Sequence, residues 1–390
     1  MPIAPERVAP SPAAERALRF DRMEWAGAFG DLGTLVPFLI AYVTVGAVPA
    51  TGMLCAFGIA LIATGIVYRT PIPVQPMKAA GAVVATQAAA LALTPEAVFA
   101  ATLVTGAIWL VLGLSGAAQR VAALLSPSVI AGVVVGLGVA FMLDGLAMIA
   151  SGWVLGTVTL AATLALLAQR KVPAMLVVLA AGAAVALVQR PELAGDLRAL
   201  EPVLELPAFV VGAITLQDLV LGALFVALPQ VPLTLGNAVV AVTGESNRVF
   251  PDRPVSERRI ALSTGVINLA GGLIGGVPMC HGAGGLAAHV RFGARTGGAT
   301  VIIGAVLLAL GTGLGGSIQV VLQLFPTPML GAVLFLAGAQ LASGPRVWGR
   351  ARGERLVMLA TAAVAVWNAG AACVFGVVAI WVLRRASRPR

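Results

Sequence analysis

The 390-residue chain has few charged residues, two histidines and three cysteines. Charged residues make up 11% of it, whereas a soluble domain has about a quarter, so an ordinary soluble globular protein is excluded. Cys55, Cys280 and Cys373 show no CxxC spacing, which argues against a zinc site and a disulfide framework. The two histidines and three cysteines are scattered, and the chain has no pair of carboxylates at the spacing of metal ligands. The sequence therefore predicts no metal, no cofactor and no enzyme activity.

Hydrophobic residues make up 59% of the chain, and the mean hydropathy is +0.99. Apolar segments of roughly 20 residues, each long enough to cross a bilayer, recur from end to end. We predict an all-α polytopic membrane protein with fourteen transmembrane spans, at residues 25–45, 51–68, 72–92, 97–115, 124–145, 152–169, 172–189, 214–242, 258–275, 277–291, 297–314, 317–342, 355–369 and 371–385.

The arginines and lysines predict the orientation. With the amino terminus inside, all but three of the 25 basic residues fall on the cytoplasmic side, as the positive-inside rule requires, and both termini are cytoplasmic. The exceptions are Arg190, Arg198 and Lys78. This asymmetry explains the net charge of +9 without a nucleic-acid partner. Residues 1–23 lack the apolar core of a signal peptide and are expected to form a cytoplasmic tail.

A proline–methionine pair occurs twice, about half the chain length apart. The two motifs are Pro71-Ile-Pro-Val-Gln-Pro-Met-Lys78 and Gly276-Val-Pro-Met-Cys-His281. Proline blocks a helix upstream, and a short helix of small residues can begin after it. Interrupted segments at matching positions of two halves are typical of the binding sites of secondary transporters.

We therefore predict a seven-plus-seven inverted repeat. Residues 24–190 would hold spans 1–7, residues 191–212 an acidic extracytoplasmic loop, and residues 213–386 spans 8–14. Spans 3 and 10 would be interrupted, each a short strand plus a half-helix. Extended stretches at 72–75 and 275–278 would pair near the midplane, so that two helix amino termini face one cavity. Their unpaired N–H groups and partial positive charges predict an anion site.

Two charged residues lie within apolar segments. Lys78 is expected in the first turn of a half-helix, where a cation opposes the helix dipole and costs ~2.5–3.5 kcal/mol at the bilayer centre. An anionic substrate or an ion pair with Asp31 would offset this cost. Asp31 is therefore a candidate for ion coupling, and Thr34 would add a hydroxyl to the same cavity. Asp144 is expected to be a hydrated residue at the outer end of the fifth span.

Polar residues also interrupt the eighth span, next to Pro229 and Pro232. The residues expected to line the cavity there are Pro229, Gln230, Thr234 and Asn237. The structural alternative is that the polar side chains satisfy backbone groups that the prolines free. His281 would donate to the anion or carry a coupling proton. Cys280 and His289 fit buried structural positions.

Four motifs resemble the molybdate transporter family. They are Phe29-Gly-Asp-Leu-Gly-Thr34, Pro73-Val-Gln-Pro-Met-Lys78, Leu228-Pro-Gln-Val-Pro-Leu-Thr-Leu-Gly-Asn237 and Pro278-Met-Cys-His-Gly-Ala-Gly-Gly285, and Arg291-Phe-Gly-Ala-Arg-Thr-Gly297 is similar too. The family is a branch of the sulfate-permease superfamily, which shares the uracil-transporter fold. The resemblance spans nearly the whole chain and implies a substrate site formed by Thr34, Gln75, Met77, Lys78, Ala79, Gln230, Cys280, His281 and Gly282.

The resemblance also implies how the protein works. A core domain (spans 1–4 and 8–11) would move against a gate domain (spans 5–7 and 12–14) in the bilayer of a cell inner (plasma) membrane. The substrate would be molybdate, with sulfate and tungstate as relatives. Related proton-coupled proteins often have a glutamate in the eighth span, which this chain lacks. A dianion entering a negative cell costs ~4.6 kcal/mol per 100 mV, so import needs two co-transported cations or anion exchange.

Three other interpretations stay open. The same fold could carry sulfate, bicarbonate or a nucleobase, although Lys78 at a helix terminus argues against a nucleobase. An anion channel is the second, and a membrane enzyme the third and weakest. The resemblance leaves the protein either monomeric or a homodimer.

Overall fold

The computed structural model describes residues 17–89, 91–123, 126–169, 174–343, 352–367 and 369–386. The expected tail therefore lies mostly outside the described residues. Five helices in this part of the chain are long and apolar enough to cross a bilayer, or up to seven when each of two bent pairs counts as one span. The chain is a multi-pass, mostly helical membrane protein, and the count of fourteen spans stays a prediction.

In the first half, apolar runs ended by proline, glycine or polar residues form ten helices among the described residues. They are α1 (Arg22–Ala28), α2 (Leu32–Thr44), α3 (Ala50–Tyr68), α4 (Lys78–Gln87), α5 (Pro95–Leu114), α6 (Ala117–Ala123), α7 (Pro127–Ala150), α8 (Trp153–Gln169), α9 (Ala174–Gln189) and α10 (Glu192–Arg198). A 3₁₀ turn, Phe29–Asp31, joins α1 to α2. Helix α7 continues five residues beyond the expected end of the fifth span at 145.

The second half likewise contains ten helices within the described residues. They are α11 (Leu216–Leu221), α12 (Leu228–Thr234), α13 (Thr243–Val249), α14 (Glu257–Leu273), α15 (Ala283–Arg291), α16 (Gly298–Leu314), α17 (Ile318–Leu322), α18 (Thr327–Ala342), α19 (Arg352–Trp367) and α20 (Ala369–Ala386). The two strands are β1 (Gln75–Pro76), just before α4, and β2 (Met279–Cys280), just before α15.

Helices α11, α12 and α13 form one continuous helical segment with two π-helical stretches, Gly222–Ala227 and Leu235–Val242. Pro229 and Pro232 lie between these stretches. Each proline lacks an N–H and clashes with the carbonyl four residues earlier, so the backbone shifts to a wider hydrogen-bonding pattern on either side. The segment bends by 41°, and Gln230 and Asn237 lie along it.

The helices pack in matched pairs drawn from the two halves. Helix α3 packs on α16, α14 packs on α5, and α7 packs on α18 and α19. Glycines allow the backbones to approach closely, as expected where lipid removes the hydrophobic drive for helix association. A Cβ atom on Gly304 would lie 2.7 Å from the Gly58 carbonyl oxygen, and one on Gly58 would lie 2.7 Å from the Gly304 oxygen.

The connection between the halves lies across helix ends. The Glu205 N–H donates to the Thr312 carbonyl at 2.8 Å, and the Val210 N–H donates to the Leu273 carbonyl at 3.1 Å. The Glu205 carboxylate also accepts from the Thr51 hydroxyl at 2.6 Å. This loop therefore connects α3, α14 and α16 by hydrogen bonds.

Replacing Gly304 by alanine should loosen the α3–α16 contact. The added methyl group would meet the Gly58 oxygen and, at 2.9 Å, the Ile62 nitrogen, so we expect a loss of about 1–3 kcal/mol in unfolding free energy. Gly313→Ala is the matched control in the same helix, because nothing lies within 4 Å of its added Cβ. Thermal unfolding in detergent should show a lower midpoint for Gly304→Ala only. Equal midpoints for the two variants would contradict the glycine contact.

Candidate functional site

Strands β1 and β2 form a two-stranded antiparallel sheet that joins the two halves of the chain. Gln75 pairs with Cys280 and Pro76 with Met279, and the Met77 N–H donates to the Pro278 carbonyl at 2.9 Å. The ladder lies further along the chain than the stretches 72–75 and 275–278 expected from the sequence. Gly275, with φ +83°, and the Gly276 N–H, which donates to Gly271, instead terminate α14.

Asn268 on α14 extends this sheet from the side. Its side-chain oxygen accepts from the Met279 N–H at 2.9 Å, and its side-chain nitrogen donates to the Met279 carbonyl at 2.5 Å. The Thr102 hydroxyl donates to the Gly276 carbonyl at 3.0 Å. These side chains satisfy buried backbone groups that have no helix to satisfy them. They also fix the point at which α15 begins.

A glutamine side chain occupies the amino terminus of α4. The Gln230 side-chain oxygen accepts from the Ala79 N–H at 2.7 Å and the Ala80 N–H at 3.3 Å. Its nitrogen donates to the Thr234 hydroxyl at 2.9 Å. Thr234 in turn lies 3.8 Å from the sulfur of Met77. The first-turn N–H groups of α4 are thus held by a neutral acceptor from α12.

The amino terminus of α15 has a similar arrangement. The Ala283 N–H donates to the Asn237 side-chain oxygen at 3.4 Å. The Gln75 side chain packs directly on Gly282, since a Cβ atom there would lie 1.4 Å from the Gln75 oxygen. Both half-helices therefore begin against amide side chains, and Gly282 is the residue that lets Gln75 approach.

Gln75 connects this helix start to Asp31. Its nitrogen donates to the Asp31 carboxylate and to the Thr34 hydroxyl, both at 2.6 Å. The Thr34 hydroxyl also hydrogen-bonds Asp31. A Cβ atom on Gly285 would lie 2.6 Å from the Asp31 carboxylate. Asp31 is 7% exposed and faces the first turn of α15, as its position in the 3₁₀ turn before α2 allows.

In this structure Lys78 pairs with Asp144 and not with Asp31, the ion-pair partner considered from the sequence. The Lys78 ammonium lies 3.8 Å from the Asp144 carboxylate and 3.4 Å from the centre of the Phe141 ring. Both partners are on α7, and Asp144 lies inside this helix rather than at its end. Asp31 has hydroxyl and amide donors instead of the ammonium. Lys78 thus connects the half-helix α4 to α7.

The other predicted residues divide into two groups. Cys280, Thr234 and Asn237 are buried, whereas Pro229 on α12 is exposed. His281 is fully buried: Nδ1 donates to the Pro73 carbonyl at 2.8 Å, and Nε2 lies 2.6 Å from the Ser263 hydroxyl. Both nitrogens of this ring therefore have a partner, one in the stretch before β1 and one on α14.

Sequence reasoning missed three residues at this site: Phe141, Ser263 and Asn268. Asp144 was named from the sequence, but as a hydrated residue and not as the partner of Lys78. Asn268 gave a usable signal, because an amide in an apolar span needs a hydrogen-bond partner. Phe141 gave none, since an aromatic residue in a span is ordinary. Its place is known only from the structure, where a Cβ atom on Gly284 would fall 2.0 Å from its ring.

The close contact at Gly282 should appear as an energetic coupling. Gly282→Ala would push Gln75 away from α15, and we expect a loss of about 1–3 kcal/mol in unfolding free energy. In the double variant with Gln75→Ala the side chain that clashes is gone. Removing Gln75 should therefore cost less in the Gly282→Ala background than in the wild type, as measured by a double-mutant cycle of thermal unfolding. Strictly additive effects would show that the two residues do not touch.

Sequence comparisons find molybdate transporters. The family model described as "Molybdate transporter of MFS superfamily" matches residues 23–141 and 222–341. Molybdate transporter 1 of Chlamydomonas reinhardtii is 31% identical, with 92% of this chain and 90% of that protein covered. Molybdate transporter 1 and molybdate transporter 2 of Arabidopsis thaliana are 31% and 30% identical and cover 87% and 90% of this chain, and 83% and 85% of those proteins.

Structural comparisons concern the fold. The transmembrane domain of the cyanobacterial bicarbonate transporter BicA has a TM-score of 0.50 at 17% identity and covers 91% of this chain and 98% of its own. The anion transporter family member SLC26A9 has a TM-score of 0.60 at 13% identity, covering 94% of this chain and 66% of that one. Both belong to the sulfate-permease superfamily, so the fold is of that type despite the wording of the family description.

Proposed function

The chain belongs to the molybdate transporter family, and from this premise we propose that it imports molybdate by alternating access. The anion binds where α4 and α15 begin, next to the paired strands β1 and β2. Spans 3 and 10 of a seven-plus-seven inverted repeat contain these half-helices. Both termini are cytoplasmic, and the membrane is the cell inner (plasma) membrane. Sulfate and tungstate are the related oxyanions to be compared with molybdate.

One observation supports this site above the others. The amino termini of α4 and α15 lie next to the paired strands β1 and β2. Their first-turn N–H groups donate to neutral amide oxygens, those of Gln230 and Asn237. Each terminus carries about half a positive charge. A tetrahedral oxyanion offers oxygens of the same hydrogen-bonding type with full negative charge, so it can replace these oxygens at a gain in electrostatic energy.

Gln230 can adapt to this exchange. In the structure its oxygen points at the N–H groups of Ala79 and Ala80, and its nitrogen at Thr234. An amide carries an acceptor and two donors on one group. After turning, the same side chain would donate to the bound anion. Gln230 therefore accepts from these N–H groups in one orientation and would donate to the anion in the other.

Lys78 connects substrate binding to movement of the gate. Its bridge to Asp144 is partly exposed, with side-chain exposures of 28% and 62%, so it contributes about 0–1 kcal/mol. A dianion beside the α4 terminus would attract the ammonium more strongly than this single, hydrated carboxylate. Lys78 would then leave Asp144 and Phe141, and α7 would be free to move relative to α4.

The packing of the helices supports two moving bodies. Helices α3, α5, α14 and α16 contact one another in the pairs α3–α16, α5–α14 and α3–α14, while α7, α18 and α19 pack together. We assign the first set, with the half-helices, to the core domain of spans 1–4 and 8–11. The second set belongs to the gate domain of spans 5–7 and 12–14.

Removing the charge of Lys78 should weaken molybdate binding. Loss of a charged hydrogen bond costs about 1.5–3 kcal/mol, so Lys78→Ala should raise the Kd roughly ten- to hundredfold. Calorimetry on purified protein, with sulfate as competitor, measures this. Arg198→Ala removes an exposed positive charge on α10 and should leave the Kd unchanged. Absence of molybdate binding to folded wild-type protein would overturn the proposed function.

A carboxylate at position 230 should mimic the substrate. Gln230→Glu places a negative oxygen on the Ala79 and Ala80 N–H groups, so we expect a folded protein that no longer binds or transports molybdate. Gln319→Glu adds the same charge on the exposed side of α17 and serves as the control. Uptake into proteoliposomes distinguishes the two variants. Normal uptake by Gln230→Glu would remove the α4 terminus from the substrate site.

A further inference from the structure

A small cavity lies beside the candidate anion site, lined by residues of α1, α2, α3, α15 and α16 and of the stretch before β1. Its volume is about 10 Å³, and its lining includes Asp31 and His289 among apolar side chains. That volume corresponds to the room that one water molecule needs. Two polar groups face this cavity in an otherwise apolar part of the core, which is the setting in which a buried water is retained.

His289 presents a buried and unpartnered ring nitrogen. Its Nδ1 lies 2.7 Å from the Gly27 carbonyl oxygen. A carbonyl accepts only, so Nδ1 carries the hydrogen and Nε2 has a free lone pair in the neutral ring. Nε2 has no hydrogen-bond partner among the described residues, and the side chain is 1% exposed. An orphan acceptor of this kind calls for a water or a proton.

Asp31 connects the cavity to the anion site. Its carboxylate accepts from Gln75, and the Gln75 oxygen therefore faces Gly282 at the start of α15. An oxygen in that place repels an incoming oxyanion. A protonated Asp31 would instead donate to the Gln75 oxygen, and the amide would turn so that its nitrogen faces Gly282. Protonation of Asp31 thus turns an N–H donor of Gln75, in place of its oxygen, toward the anion at Gly282.

We propose that Asp31 and His289 form the coupling-proton site of this transporter, joined by one water in the cavity between them. The inference rests on the proposed function. A proton bound at the Asp31 carboxyl favours anion binding. After the conformational change the carboxyl gives its proton to the water while the water gives one of its own to His289 Nε2. A carboxylate and an imidazolium result, Gln75 turns back, and the anion leaves. The imidazolium then gives its proton to water on the cytoplasmic side, which returns His289 to its neutral form.

The charged groups around this pair keep the proton between the two residues. Lys78 is the cation nearest to Asp31 on α4, and it is paired with Asp144 of α7. On α1, Glu24 accepts from the N–H groups of Arg295 and Thr296 at 3.0 Å. On α13, Glu245 is paired with Arg248. Helix α3, which lines the cavity through Leu61, carries Cys55 and Tyr68. Helix α2 carries Tyr42 and α15 ends at Arg291. Helices α9, α16 and α18 carry no titratable residue among the described residues.

His289→Asn is the informative variant. An asparagine amide can still donate to the Gly27 carbonyl, as Nδ1 does, but it has no group that takes up a proton. Gly313→Ala is the control, because its added methyl group meets nothing within 4 Å and lies outside the site. It should leave proton coupling in place.

The experiment measures molybdate accumulation in proteoliposomes with the voltage held at zero by potassium and valinomycin. At zero voltage one coupled proton gives about tenfold accumulation per pH unit of gradient, and this pair supplies one of the two cations that import against a membrane potential needs. We expect this accumulation from the wild type and from Gly313→Ala. His289→Asn should bind molybdate and exchange it across the membrane without accumulating it. Asp31→Asn, a mimic of the protonated carboxyl, should bind molybdate with an affinity that does not change with pH.

Three results would overturn the inference. Accumulation by His289→Asn equal to that of the wild type would remove the histidine from coupling. Wild-type transport of molybdate that ignores the pH gradient would refute proton coupling and leave the proposed function intact. Wild-type protein that neither binds nor transports molybdate would refute both. Binding that survives in His289→Asn while accumulation is lost would support the coupling site specifically.

Discussion

The pairing of β1 with β2 is the constraint on which the rest of the structure depends. Two stretches of extended backbone lie inside a membrane protein, where an unsatisfied N–H or carbonyl costs several kcal/mol. Each stretch satisfies the other across the chain, through Gln75–Cys280 and Pro76–Met279, and Asn268 completes the outer side. Because of this pairing two helices can begin next to each other in the interior, which no continuous helix would permit.

The two helix starts create a positive region that must be kept stable without a ligand. Charged acceptors would bind it too strongly and exclude an anion, and an unfilled site would leave buried N–H groups unsatisfied. Amide side chains bind these N–H groups with intermediate strength, because Gln230 and Asn237 accept hydrogen bonds from them and carry no charge. Gln75 takes a third position against Gly282. The first-turn N–H groups are therefore satisfied by amide oxygens, and a charged oxygen could replace these as the acceptor.

Much of the helix pattern could be predicted from the sequence, since the apolar runs end at proline, glycine and polar residues. The predicted segment 51–68 nearly coincides with α3, and a short helix follows each Pro–Met motif, α4 after the first and α15 after the second. The strand register was predicted a few residues early because Gly275 and Gly276 terminate α14. The Asp144 partner of Lys78 could not be predicted, since sequence spacing fixes neighbours within one helix and gives no distance between α4 and α7. His289 was expected at a buried structural position, and it is 1% exposed.

The position of Asp31 follows from the same physics. A helix that continued unbroken from α1 into α2 would satisfy its own backbone, and the 3₁₀ turn at Phe29–Asp31 interrupts it where α15 begins. Gly27 lies close to Ala294 and Gly30 close to Ala288, so the first span runs antiparallel to α15 at short distance. Asp31 then faces the first turn of α15, and the Gly27 carbonyl faces His289. Close packing by small residues thus places a carboxyl and an imidazole on one cavity beside the proposed anion site, and the proposed proton coupling rests on this geometry.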